Sequence, residues 1–162
     1  MTITPSGRLD GTDLVVTRTF SAGVEDVWAS VTEPERTARW YGTWEGEAAP
    51  GSTVKVQMAF EDGKPWTDML IEVCEPPRRL VLFSTDEVGQ WRIELRVRPV
   101  GDSTELSLVH HDAVDGAGDF GPGWEWYLDN LVAAREGTPQ PSFDDYYPAM
   151  KGYYQGLAEK QA

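Results

Sequence analysis

The sequence holds a single cysteine, Cys74, so no disulfide can form within the chain and the fold must rest on its apolar core. Basic residues are also scarce, with 14 Lys and Arg against 27 Asp and Glu and a formal net charge of -13. A nucleic-acid backbone or an anionic membrane would repel such a chain, which argues against either as the main partner. No apolar run approaches the ~18 residues that span a bilayer. The amino-terminal MTITPSGRLDGTD lacks the basic patch, apolar stretch and cleavage-like site of a secretory signal. A cytoplasmic location is therefore expected. Also missing are GxGxxG, a P-loop, HExxH, CxxC and GxSxG, which removes the usual nucleotide, zinc and acyl-transfer chemistries. No cofactor and no metal are expected; His110-His111-Asp112 is a poor metal site, because adjacent strand residues point apart.

What is present is patterned. Residues 14–20, LVVTRTF, read as a first strand. Val24, Val27, Trp28 and Val31 then recur at helical spacing. Pro34 ends that helix near Thr32, and Thr32 and Glu35 have the spacing of a capping box for a second short helix. From Thr43 to Asp112 the period changes to two, through 43–47, STVKVQMAF, DMLIEVCE, RLVLFS, QWRIELRVRP and TELSLVHH. Pro50-Gly51, Asp62-Gly63, Pro76-Pro77, Val88-Gly89 and Gly101-Asp102 supply the turns. The count is about seven strands, and their short connections favour an antiparallel meander. Cys74, inside one of them, reads as a small buried hydrophobe.

In the last third, Trp124, Tyr127, Leu128, Leu131 and Val132 form one helical stripe. Gly121 and Pro122 mark its start, and Arg135, Gly137 and Pro139 its end. Packing this long helix against the apolar face of a curved sheet buries both, and a cavity remains wherever the sheet curves beyond what the helix fills. The chain reads as one α+β domain over 1–162, with a core at 14–136 and a helical extension at 142–162. In that extension Tyr146, Met150, Tyr153 and Leu157 recur at helical spacing from near Pro148.

The ordered set VTRTFSAGVEDVW, EPERTARWYG, EPPRRLVLFS, TELSLVHH and GWEWYLDNL resembles the bacterial relatives of the activator of the heat-shock-protein-90 ATPase. These belong to the START-like, or SRPBCC, superfamily, with the pollen-allergen proteins and polyketide cyclases. The resemblance covers roughly residues 14 to 136. It implies a helix-grip fold, in which a curved antiparallel sheet grips a long carboxy-terminal helix around an apolar cavity. The family shares no catalytic motif, so the resemblance speaks to fold rather than function.

Several residues are candidates for a ligand site. By alternation His110 shares a face with Leu106 and Leu108 and points inward, where it can orient a ligand or act as a base, or simply be satisfied by a neighbour. Arg18 shares a face with Val16 and Phe20, and an inward Arg must be paired, with Asp129, Glu72, Glu94 or Asp68, or with a ligand carboxylate. Asp68 is otherwise a candidate acid facing the cavity. Seven tryptophans are many for this length, and Trp40, Trp44, Trp66, Trp91 and Trp124 fall near expected cavity faces. Met58, Phe60 and Phe83 complete the lining, with Tyr127, Leu128 and Leu131 from the long helix.

The expected function is binding of a small hydrophobic ligand between sheet and helix, without intrinsic catalysis. A cyclase or dehydratase using His110 with Asp68 or a Tyr is the alternative. A chaperone-associated interaction protein ranks third, because bacterial members of this type lack the amino-terminal domain of the eukaryotic activator. The tail from Phe143 to Leu157, rich in Tyr, either caps the body or builds a homodimer contact.

Overall fold

Period-two patterning produces one antiparallel sheet. A computed structural model describes residues 3–87 and 89–161; Val88 of the predicted Val88-Gly89 turn and the outermost residues of the predicted 1–162 domain lie outside these. The strands are β1 (Arg8–Asp10), β2 (Asp13–Phe20), β3 (Trp44–Glu45), β4 (Thr53–Gln57), β5 (Trp66–Glu75), β6 (Arg79–Thr85), β7 (Gln90–Val100) and β8 (Ser103–His110). Their spatial order is β1-β2-β8-β7-β6-β5-β4-β3. From β3 to β8 the chain is a meander, and β2 closes it by pairing with the last strand. The inward row runs across the sheet through Val16↔Leu108, Leu108↔Leu95, Leu95↔Leu80 and Leu80↔Cys74. A bulge between Ile71 and Val73 shifts the register of β5, which re-aims the side chains beyond it.

Eight strands among the described residues exceed the expected seven by β1. This three-residue edge strand is too short to show a period, and it pairs with β2 through the Gly11-Thr12 turn.

Helix α1 (Val24–Thr32) ends at the residue expected from Pro34, and α2 (Pro34–Thr37) begins with that proline. The capping box does not form. Glu33 is the N-cap without a side-chain bond, and the Thr32 hydroxyl donates instead to the Trp28 carbonyl at 2.7 Å.

Helix α3 (Ala117–Glu136) ends as predicted, with Gly137 at φ 71. It starts four residues before Gly121, however, and takes Pro122 into its first turns. The glycines that suggested a turn serve close packing. A Cβ on Gly121 would lie 2.5 Å from the Tyr154 ring, and one on Gly118 would lie 2.8 Å from Gln155 Cγ. Both contacts are with α4 (Lys151–Gln161), which packs along the outer side of α3. Tyr146 and Met150 of the predicted stripe are buried there and Leu157 packs against the core, but Tyr153 is exposed and Tyr154 takes its place in the interior, so this face of the tail caps its own chain. Among the described residues no helix is long and apolar enough to cross a membrane.

The glycine packing makes a paired prediction. Gly121→Ala should destabilise the protein by about 1–3 kcal/mol through overpacking. Gly156→Ala, in α4 with nothing within 4 Å of its added Cβ, should be neutral or stabilising by up to about 1 kcal/mol. Urea midpoints of the two variants check this, and equal midpoints would refute the packing role.

Candidate functional site

Between the sheet and α3 lie two adjoining cavities. The first, about 380 Å³, is walled by Val54, Leu80 and Leu108 from the sheet and by Trp28, Trp40 and Trp44 from the segment around the two short helices. The second, about 550 Å³, opens beside the β4–β5 hairpin, with Met58, Phe60 and Trp66 on one side, Trp91 from β7, and Phe120 and Tyr127 from α3. Tyr41, Met69, Ile93 and Trp124 line both and form the septum between them. Tyr41 and Trp124 stack at 6.4 Å between centroids and 13° between planes, and Tyr127 leans on Tyr41 at 5.0 Å.

The aromatic walls are fixed from behind. Trp40 Nε1 donates to the Ser30 carbonyl at 2.9 Å, Trp44 Nε1 to the Thr32 carbonyl at 2.8 Å, and Trp126 Nε1 to the Pro141 carbonyl at 2.9 Å. With its polar tip satisfied by backbone, each ring is free to present an apolar face. Trp91 differs, since its indole N–H is buried without an acceptor.

His110 points inward, as alternation predicts, and is buried, but it does not line either cavity. Its Nδ1 accepts from Trp124 Nε1 at 3.0 Å, its ring stacks on Trp91 at 5.1 Å, and Phe120 lies 4.7 Å away. An indole only donates, so Nδ1 carries no proton and the neutral ring is protonated at Nε2. Burial, helped by the neighbouring His111, lowers its pKa to about 4. His110 therefore orients the septum ring Trp124. Its neighbour His111 points outward, between Asp13 at 3.2 Å and Glu94 at 2.8 Å.

Other expected site residues lie elsewhere. Arg18 does face α3, but every direction of its guanidinium is engaged: Nε with Asp129 at 2.9 Å, Nη2 with Glu125 at 3.0 Å, and Nη1 with the Ser6 hydroxyl and the Thr17 carbonyl. Asp129 was among the expected partners. Glu72, Glu94 and Asp68 are not partners, because each sits on the outer face, where Glu72 meets Arg92, Glu94 meets Arg79, Arg96 and His111, and Asp68 meets Lys55 at 3.1 Å. Asp68 is thus an exposed surface residue rather than a cavity acid. Phe83 also faces out, under the Arg92 guanidinium at 5.0 Å, because Leu82 and Ser84 are the inward positions of β6. Leu128 and Leu131 are packed into the solid core and touch neither cavity. Cys74 is only half-buried and lines the first cavity.

The structure adds residues that sequence reasoning missed. Tyr41 follows Trp40 at the exit of α2, and the RWYG stretch was the only signal for it. Met69 and Ile93 were findable by alternation along β5 and β7. Glu61, in the β4–β5 turn, gave no signal. Among the described residues no cluster of three or more His, Cys, Asp or Glu is arranged to hold a metal ion.

The His110 environment sets a pH dependence. Its folded pKa lies below that of the unfolded chain, so the unfolded state binds the extra proton as pH falls from about 6.5 toward 4. Stability should therefore fall by about 2–3 kcal/mol over pH 6.5 to 4.5. Asp26, held at about 2 by Arg135 and Arg36, and Glu94, held at about 2 against its burial by hydrogen bonds from Arg96, Arg79 and His111, lose their contributions mainly below that window. Thermal melts of wild type and His110→Gln check this, and an unchanged slope in the variant would refute the assignment.

Comparison with known proteins agrees with this fold. The family model for Activator of Hsp90 ATPase homolog 1-like protein matches residues 21–136, more than half of the chain. CalU16 from Micromonospora echinospora is 27% identical, with 90% of this chain and 88% of that chain covered and a TM-score of 0.75. A protein from Bordetella parapertussis is 22% identical, with 100% and 96% covered and a TM-score of 0.68. DynU16, of the dynemicin biosynthetic locus, is 21% identical, with 83% and 51% covered and a TM-score of 0.69. No curated protein matches. The sheet wrapped on one long helix is the helix-grip fold, and with the family model matching residues 21–136 this chain belongs to the Activator of Hsp90 ATPase homolog 1-like family.

Proposed function

We propose that this protein binds a small hydrophobic or aromatic ligand between the sheet and α3. The observation that carries the reading is the pair of adjoining cavities, about 380 and 550 Å³, which share Tyr41, Met69, Ile93 and Trp124 and are walled by aromatic rings. Concave, mostly apolar spaces of this size with few polar groups are the usual form of a small-molecule site. Burial of ligand surface would supply affinity on a scale of about 25 cal/mol per Å². The ring walls, held from behind, would supply orientation with little ordering cost.

An acid–base enzyme is less well supported. His110 is engaged with Trp124 behind the cavity wall and Asp68 lies on the opposite face, so the two share no position for a substrate. No particular contact favours a chaperone-associated role.

Titration with the neutral probe N-phenyl-1-naphthylamine should quench tryptophan fluorescence and raise the melting temperature. Ile93→Trp, which places a large ring against both cavities, should weaken binding by about tenfold or more while circular dichroism stays unchanged. Absence of binding by the probe and by a panel of apolar ligands, or full binding by the variant, would overturn the reading.

A further inference from the structure

We infer that the larger cavity is built for an organic cation, a planar aromatic body carrying a protonated or quaternary nitrogen held at the Glu61 end. This rests on the ligand-binding reading above and narrows it to a chemical class.

The first observation is charge. Three carboxylates, Glu61, Asp86 and Asp119, belong to the wall of this cavity, and among the described residues lining it there is no Lys or Arg. They are not equivalent. Asp119 is paired with Lys151 at 3.2 Å and accepts from the Tyr147 hydroxyl. Asp86 accepts from the Gly89 backbone N–H at 3.0 Å. Glu61 has neither a cation nor a hydrogen-bond donor among the described residues. The outer-face carboxylates Glu72, Glu94 and Glu105, by contrast, each meet an arginine. An unmatched carboxylate at the mouth of a low-dielectric space attracts a cation more strongly than one in open solvent. The overall charge of -13 adds a background of the same sign.

The second observation is the surface that Glu61 overlooks. Trp66 and Phe143, at 46% and 39% exposure, stand at the rim, with Trp126 in edge contact with Phe143. Exposed large rings at a cavity mouth are costly in water, and ring faces attract ammonium groups. Tyr41 and Tyr127 belong to the same wall, and among the described residues their hydroxyls have no hydrogen-bond partner. Burial keeps both protonated, and the Glu61 charge acts on each in the same direction. The unpaired indole N–H of Trp91 is in this wall too. A ligand bearing one acceptor would relieve that buried donor. An anionic ligand would meet three carboxylates, of which Asp119 is paired with the cation Lys151.

Thioflavin T, a permanent benzothiazolium cation, and the uncharged benzothiazole of the same skeleton form the probe pair. The wild-type protein should bind the cation about tenfold more tightly. Glu61→Gln should remove that preference and leave the uncharged compound within about twofold, whereas Glu136→Gln, on exposed α3 surface, should change neither. Ile93→Trp should weaken both. If wild type binds the two compounds equally, or if Glu136→Gln acts like Glu61→Gln, the cation inference fails and the ligand-binding reading stands. If neither compound binds, both fail together.

Discussion

The position of α3, and with it both cavities, depends on one buried carboxylate. Glu125 is 0% exposed on the side of α3 away from the septum, a place where an unpaired charge would cost several kcal/mol. It accepts from Arg18 at 3.0 Å, from the Ser6 backbone N–H and the Tyr154 hydroxyl at 2.7 Å each, and from the Ser6 hydroxyl. These hydrogen bonds outweigh the burial that would otherwise favour the protonated acid, and they hold Glu125 below the usual carboxylate range. The four donors come from β2, the amino-terminal arm and α4. A single side chain therefore fixes the long helix against three other parts of the chain.

That arrangement explains why the inner flank of α3 can leave space unfilled. Trp124 and Tyr127 do not have to anchor the helix, because Glu125 and Asp129 on the other flank do so with Arg18, Tyr146 and Tyr154. The aromatic side chains are left to shape walls. The sheet shows the same division of labour. Its outer face is stitched by ion pairs around buried Glu94, with Arg79 at 2.8 Å and Arg96 at 2.6 Å, while its inner face is almost wholly apolar. Ion pairs thus lie on the outside of the grip, and the apolar core and the concavity on the inside.

Much of the fold was legible because it rests on period. Seven strands, two short helices and the end of α3 follow from alternation, helical spacing, Pro34 and Gly137. The start of α3 did not, because Gly118 and Gly121 have the composition of a turn but serve the approach of α4, a contact between segments some 30 residues apart. Site residues were less legible. Inward parity was read correctly for His110 and Arg18, but sequence does not say whether an inward side chain meets empty space, a partner or solid core. Leu128, Leu131 and Arg18 were assigned to the cavity on that ground. Phe83 and Asp68 fell on the wrong face. In RLVLFS both faces are apolar, so alternation gives no preference, and Asp68 was placed by its neighbour Trp66, which reaches the cavity only from the first position of β5.

The backbone of Gly7 donates to the Tyr154 hydroxyl at 3.1 Å and accepts from the Tyr153 hydroxyl at 2.8 Å, beside Ser6 on Glu125. These contacts join positions 146 and 147 residues apart, which is nearly the whole described chain. During synthesis the sheet and α3 can assemble in order as they emerge. The Glu125 cluster cannot be complete until residue 154 has left the ribosome, and until then the carboxylate lacks one of its donors. The cavities thus acquire their final walls only once Tyr154 has closed on Glu125, so a chain stalled before that residue would hold a sheet and a helix but not a set grip.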